Sequence, residues 1–460
     1  MSTENPAQDP LATNLPALLP RGDGHQFLVY GDSCSGVPGG RHEATFAAVN
    51  AVARRLDPAP EFIAFLGDEI IGLTADEAAL RAQWRHWLDV ETAWIDREAI
   101  PVFHTTSNHA TYDVMSERVF AEMLPDLPRN GPPGQAGLAY FVRRGDLLLV
   151  MIHTSAMALG GEGHIETEWL ARVLADNDDA RHKLVLGHHP VFPVNGFSGA
   201  YQREIGHEYA PPLWDLLVAH GVTAYLCSHI LAFDVQVHRG VLQITTAGAG
   251  TAHRMPEGVE YLHLVQMVLD AAGLRYQVID TESVVREALD WPGGLVEAPD
   301  WRPLPLGEGA TPVPSTRDPI IRRWRFRGQA GPRTSGAAET LLEAWSPGQG
   351  LAPLWIGFTG PARKLTISLA PETGRSPHVW FGPELSPDAP FDLDLALHPG
   401  MGPGGVLWRR AGEAAWSSLD GASPWGAERL PGMSLWAAGH GRGGVEDRPF
   451  RGPDLEVLTG

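Results

Sequence analysis

Cysteine is nearly missing from this chain: Cys34 and Cys227 are the only two thiols in 460 residues. Two thiols exclude a disulfide-stapled scaffold, so stability has to come from packed cores. No apolar run approaches the roughly 18 residues that mark a membrane helix. The opening stretch, MSTENPAQDPLATNLPALLP, lacks the basic segment and apolar core of a secretory signal. A cytoplasmic protein with no membrane partner is therefore expected. Positive charge is also in deficit, with 35 Lys and Arg against 55 Asp and Glu and a net charge of −20. That balance argues against a nucleic-acid backbone as the main partner. Internal repeats and heptads are absent.

What is present is turn chemistry and a set of apolar runs that end in polar side chains. The 52 glycines and 39 prolines call for many turns and long loops, and the length exceeds what one core usually holds. Residues 1–24 are polar and Pro-rich and read as a flexible leader. Residues 25–282 alternate short apolar strands with amphipathic helices, the pattern of a layered α/β domain. Helices are expected over residues 43–56, 75–94, 167–175 and 209–219. The runs at 139–142 and 147–153 suit a hairpin, and those at 233–238, 241–246, 262–269 and 274–279 suggest a second, antiparallel sheet. Seven prolines mark 283–320 as a linker, and beyond residue 321 short strands separated by Gly/Pro turns predict an all-β sandwich or jelly roll. In Phe391-Asp-Leu-Asp-Leu-Ala-Leu397 the large apolar residues alternate, so one face is buried.

In the first domain, five apolar runs each deliver metal- or proton-competent groups as they end. FLVYGD ends at Asp32, FIAFLGD at Asp68, VFHTTSNH at Asn108 and His109, LVLGHHP at His188 and His189, and VTAYLCSH at His229. Strand ends are where α/β proteins build their sites. Any one of these residues alone would read as a turn or a hydrogen-bonded side chain. Together, carboxylates, an amide oxygen and imidazoles suit one or two divalent ions such as Mn²⁺, Fe²⁺ or Zn²⁺. His104 and His153 are further candidates for the pocket. Arg203 and Arg254 are candidate clamps for a phosphate or carboxylate.

On these motifs residues 25–282 resemble the calcineurin-like metallophosphoesterase superfamily, which also contains the purple acid phosphatases. The resemblance implies a four-layer αββα sandwich that usually holds two metals, with a metal-bound hydroxide attacking phosphorus. The family's Asp-x-His motif falls at Asp32-Ser33-Cys34, its Gly-Asp at Gly67-Asp68, and its Gly-Asn-His at Ser107-Asn108-His109. Its Gly-His-x-Pro matches Gly187-His188-His189-Pro190, and its Gly-His-x-His falls at Ser228-His229-Ile230-Leu231. The resemblance implies metal ligation by Asp32, Asp68, Asn108, His188 and His229, with His109 facing the leaving group. Asp32 either completes a second metal site or orients the attacking water. A one-residue shift would instead make His229 the second histidine of the last motif.

The departures are specific. Cys34 and Leu231 replace two histidines that both belong to the first metal, while the second metal's set, Asp68, Asn108, His188 and His229, is complete. Cys34 is either a thiolate ligand or a small buried filler, and a Cys34–Cys227 bond is a further option. Ile71 stands where purple acid phosphatases carry their tyrosine, which argues against an iron–tyrosinate centre. The implied activity is metal-dependent hydrolysis of a small-molecule phosphoric ester, mono- or diester. Unusual chemistry at a mononuclear or Cys-containing site, or a non-catalytic binding protein on the same fold, are the alternatives. Residues 321–460 loosely resemble laminin-G and concanavalin-A-like jelly rolls. That implies sugar or protein binding, with Trp380, Trp408, Trp416, Trp425 and Trp436 as stacking candidates, or a role in homo-oligomerisation.

Overall fold

The computed structural model describes residues 14–194, 204–251, 260–313, 321–332, 338–348, 352–370, 377–421, 433–441 and 448–460. Residues 1–13 of the expected leader, and Arg203, Arg254 and Trp425, lie outside them. The chain divides into two compact units: residues 1–192, 201–233 and 243–292 form one, and 193–200, 234–242 and 293–460 the other. An α/β part with interleaved helices and sheets is followed by an all-β, mostly antiparallel part.

The strands that matter for the site are β1 (Leu15–Pro16), β2 (Gly24–Tyr30), β3 (Leu56–Asp57), β4 (Ile63–Phe65), β5 (Val102–His104), β6 (Tyr140–Arg144), β7 (Leu147–Met151), β8 (His182–Leu186) and β9 (Ala224–Cys227). They are followed by β10 (Phe233–His238), β11 (Val241–Thr246), β12 (His263–Asp270), β13 (Gly273–Asp280) and β14 (Val285–Trp291). One six-stranded sheet has the order β14-β13-β12-β2-β4-β5, and a second has β10-β11-β9-β8-β7-β6. In the first, β2, β4 and β5 are parallel, with Leu28 opposite Ile63 and Ile63 opposite Val102. In the second, β7, β8 and β9 are parallel, with Leu149 opposite Leu184 and Leu184 opposite Ala224. Every residue of β4, β7, β8, β9 and β12 is buried. Strands buried on both faces need cover on both, which is why β4, β7 and β9 read as unbroken apolar runs.

The four expected helices form at Arg41–Ala53 (α1), Glu77–His86 (α2), Thr167–Asp176 (α4) and Ala210–Ala219 (α5), and an unexpected α3 runs over Val114–Met123. The α3 start is an Asp113/Ser116 capping box, in which Ser116 N–H donates to Asp113 Oδ1 at 2.7 Å. The helix expected over 75–94 ends early. Trp87–Glu91 form a π-helical turn, with Thr92 N–H and Oγ1 both donating to the Trp87 carbonyl at 3.0 and 2.8 Å. A threonine bonding back onto the turn distorts the α ladder. Trp87 thereby packs against Phe46, Phe65 and His104.

The hairpins at 233–246 and 263–280 do not share a sheet, contrary to the sequence expectation. β12 pairs with β2, Val265 opposite Val29, while β10 and β11 extend the other sheet. Within residues 283–320, β14 pairs with β13, Leu274 opposite Trp291. Residues 14–24 include β1, which pairs in parallel with β3, and Leu18 N–H donates to Gln266 Oε1 at 2.8 Å.

The all-β part has one sheet ordered Arg302–Leu304, Leu455–Thr459, Arg322–Gln329, Pro390–Leu397, Val406–Arg410 and Ser417–Ser418. The other is ordered Gly307–Val313, Met433–Ala438, Glu339–Trp345, Leu354–Thr359, Lys364–Leu369, His378–Glu384 and Asp420–Gly421. Phe391, Leu393, Leu395 and Leu397 enter the core as the alternation requires. Asp394, on the opposite face, is nevertheless fully buried, because Arg325 grips both its oxygens at 2.5 and 2.9 Å and Arg409 adds a third bond at 3.1 Å. Trp380, Trp416 and Trp436 are buried packing groups rather than an exposed stacking face.

Candidate metal centre

Each polar group follows the end of a strand by two to five residues, and the backbone there turns sharply. Asp32, Cys34, Asp68 and His229 all adopt left-handed φ, at 62°, 41°, 55° and 66°. Such angles cost non-glycine residues energy and cluster where the surrounding structure has a use for them. Gly67, at φ 88°, has a steric reason as well: a Cβ there would lie 2.6 Å from Ser107 Cβ and 2.9 Å from His188 Nδ1. Ser107, in turn, accepts the Asp68 N–H at 2.9 Å. These constraints hold Asp68 in place before any ligand is considered.

Four donors converge. His188 Nε2 lies 3.0 Å from Asn108 Oδ1, 3.1 Å from His229 Nδ1 and 3.5 Å from Asp68 Oδ1. His229 Nδ1 is 3.1 Å from Asn108 Oδ1. His188 Nδ1–H donates to the Leu66 carbonyl at 2.8 Å, which fixes the ring and turns Nε2 toward the cluster. Protons on the two imidazoles can bridge this gathering of oxygen and nitrogen lone pairs only in part, whereas a divalent cation would satisfy all four. The residues therefore fit such an ion, and Asp68, His188 and His229 are near enough to share one.

The electrostatics carry the same imprint. Burial works against a charged His188, but the carboxylates of Asp68 and Asp32 and the Leu66 carbonyl outweigh it and raise its pKa to about 9. Burial likewise opposes a charged Asp68, yet the imidazoles of His188, His109 and His229 hold it well below the usual carboxylate range. For Asp32, burial and then the neighbouring Asp68 raise the pKa to about 7.

Asp32 stands apart from this set. Its Oδ2 contacts Ser228 Oγ and accepts the His229 N–H at 3.1 Å. The Asp32 carbonyl accepts from Thr251 N at 2.9 Å. Cys34 Sγ is 3.8 Å from Asp68 Oδ2 and 3.9 Å from His109 Nδ1, so Cys34, Asp68 and His109 form a second trio around the same carboxylate. Burial, then the charges of Asp68 and Asp32, push the Cys34 thiol well up. Cys34 and Cys227 are both free thiols. His109 Nδ1–H donates to the Ile71 carbonyl at 2.7 Å, and its Nε2 is 3.9 Å from Asp68 Oδ2.

The other candidate histidines, His104, His153 and His189, have partners. His104 Nδ1 pairs with the fully buried Glu69 at 2.8 Å, and His153 lies between Thr106 Oγ1 at 2.6 Å and Glu117 Oε1 at 3.0 Å. His189 Nδ1 is 2.8 Å from Thr154 Oγ1, and its Nε2 is 3.2 Å from Glu162 Oε1. Glu162 is the residue that sequence reasoning missed: it forms a third trio with His189 and His229. The one available signal was Gly160-Gly161-Glu162-Gly163, a single charge set among glycines.

No family model matches the chain, and no curated protein matches it. Solved structures do. A purple acid phosphatase from yellow lupin (Lupinus luteus) seeds is 13% identical, with 58% of this chain and 53% of that chain covered and a TM-score of 0.41. The chain thus spans about half the length of that protein. GAP50, the anchor in the inner membrane complex of Plasmodium, is 13% identical, with 58% and 88% covered and a TM-score of 0.38. Yfce, a phosphoesterase from E. coli, is 9% identical, with 58% and 98% covered and a TM-score of 0.27.

Proposed function

We propose that this chain is a metal-dependent phosphoric ester hydrolase. The observation that carries the reading is the convergence of Asp68, Asn108, His188 and His229 within 3.5 Å of His188 Nε2. These are the residues that the motif resemblance assigns to one metal. A divalent ion of the Mn²⁺, Fe²⁺ or Zn²⁺ kind held there would polarise a phosphoryl oxygen and acidify a water. The Leu66 carbonyl keeps His188 in the tautomer whose Nε2 can ligate. His109 spends Nδ1–H on Ile71, so Nε2 is the atom that gives a proton to the departing oxygen. Asp32 secures the His229 turn through its N–H and orients the attacking water.

Two features favour a single ion on the assigned set. Leu231 brings no donor, and Asp32 Oδ2 is already engaged by Ser228 and His229.

The test uses p-nitrophenyl phosphate and its bis-ester as probes, with metal content measured alongside. Asp68→Ala and His188→Ala should lose both metal and activity. His109→Ala should keep its metal and lose rate by about 10²–10⁴-fold. Full activity in His109→Ala would remove its proton-transfer role, and full activity in His188→Ala would remove the whole reading.

A further inference from the structure

We propose that a second divalent cation binds between Glu162, His189 and Nε2 of His229, on the opposite side of His229 from Asp68. This rests on the reading above, since His229 serves both sets. His229 offers Nδ1 to Asn108 and His188, while its Nε2 lies 3.8 Å from Glu162 Oε1. The same Glu162 oxygen is 3.2 Å from His189 Nε2. The His189 and His229 rings stand 4.5 Å apart between centroids. Two imidazoles and a glutamate are a donor set that catalytic zinc sites use, with a position left for solvent. Here Glu162 supplies the open side, its side chain 32% exposed while His189 is fully buried.

One residue holds both new donors. Thr154 Oγ1 sits 2.8 Å from His189 Nδ1 and so sets that ring's orientation. The Thr154 carbonyl accepts the Gly163 N–H at 2.9 Å and so pins the loop carrying Glu162. Gly160, Gly161 and Gly163 all have left-handed φ, at 125°, 92° and 84°, so the loop that presents this one carboxylate is built from residues that can take such a path. The competing position, around Cys34, Asp68 and His109, is poorer. The His109 nitrogen facing Cys34 is the one donating to Ile71, so its lone pair is not available there. With both His229 nitrogens ligating, the ring gives up its remaining proton to solvent as the second ion enters.

The full-length chain, stripped with chelator, dialysed against ZnCl₂ and then freed of excess ion, is assayed for zinc per chain. Two ions are expected in the unaltered protein, one in Glu162→Gln and in His189→Gln, and two in Cys34→Ser. Circular dichroism and the denaturation midpoint check that His189→Gln folds, and Glu162→Gln, on an exposed side chain, carries the test if it does not. Two ions in Glu162→Gln with one in Cys34→Ser would overturn the proposal and put the second ion beside Asp32. A single ion in both the unaltered protein and Glu162→Gln would also overturn it while leaving the hydrolase reading intact. No ion in the unaltered protein would remove both.

Discussion

Replacing Gly67 by alanine tests whether the site is held together by backbone shape. At φ 88° an alanine pays the left-handed penalty, about 1–2 kcal/mol. Its Cβ would also sit 2.6 Å from Ser107 Cβ and 2.9 Å from His188 Nδ1, closer than packed atoms tolerate. Relief of that overlap costs about 1–3 kcal/mol as overpacking. The atom displaced is the one that donates to Leu66, so a hydrogen bond worth about 1 kcal/mol is strained or lost as well. The total is roughly 3–6 kcal/mol. Gly221 provides the control: its φ is 60°, and a Cβ there meets nothing within 4 Å, so Gly221→Ala carries the backbone penalty alone. Denaturant midpoints and m-values for both variants give the stability difference. Zinc titration calorimetry reads the second effect, a loss of about 10–100-fold in affinity for Gly67→Ala only, because a ligand's orienting bond is disturbed. If Gly67→Ala is no less stable than Gly221→Ala and binds zinc as the unaltered chain does, the reasoning is refuted.

Two further outcomes are expected. The metal-free protein should lose stability as pH rises, because the folded chain binds protons more tightly than the unfolded one at both groups. The Asp32 contribution is present below its unfolded pKa and is lost as pH climbs through about 7, and that of His188 is lost as pH passes through about 9. Denaturation midpoints from pH 7 to 9, above the range in which the depressed His189 and His238 imidazoles act in the opposite sense, should therefore fall in the metal-free sample and fall less once zinc replaces those protons, and a flat metal-free profile there would count against the cluster. In the all-β part, Arg363→Met should destabilise by about 3–5 kcal/mol, since it leaves Glu339 buried without its charge partner. Adding Glu339→Leu should recover most of that loss, and a double variant as unstable as the single one would show that packing, not charge, sets the cost.

Much of the α/β part was legible because strands such as β4, β7 and β9 are uninterrupted apolar runs and helices such as α2 and α4 are amphipathic. The polar residues Asp68, Asn108, His188 and His229 stood out for the same reason: each closes such a run. Partner choice between strands was not legible. Nothing in Val265 or Val29 says that they lie opposite each other, so the 263–280 hairpin was grouped with the wrong neighbours. Helix α3 was missed although Asp113 and Ser116 form its capping box, because the preceding HTTSNHATYD reads as loop. Glu162 was missed for a different reason: a single carboxylate among glycines does not say which imidazoles its loop, pinned to the Thr154 carbonyl through Gly163 N–H, will face. The left-handed angles at Asp32, Cys34, Asp68 and His229 have no sequence signature, since glycine does not mark them.

The site's donors come in pairs from the two sheets, Asp68 and Asn108 following β4 and β5, His188 and His229 following β8 and β9. A metal ion bound there would act as a clasp between two halves of one interior. At a free ion concentration a thousandfold above the dissociation constant, such a clasp would add about 4 kcal/mol to the closed state. That gain falls on the openings that part the sheets, so hydrogen–deuterium exchange at amides near the strand ends should slow on loading far more than exchange in β12 and β13. Starved of metal, such a protein would breathe along one seam while most of its hydrogen-bond ladder stayed protected, and that seam is where a protease would first find it.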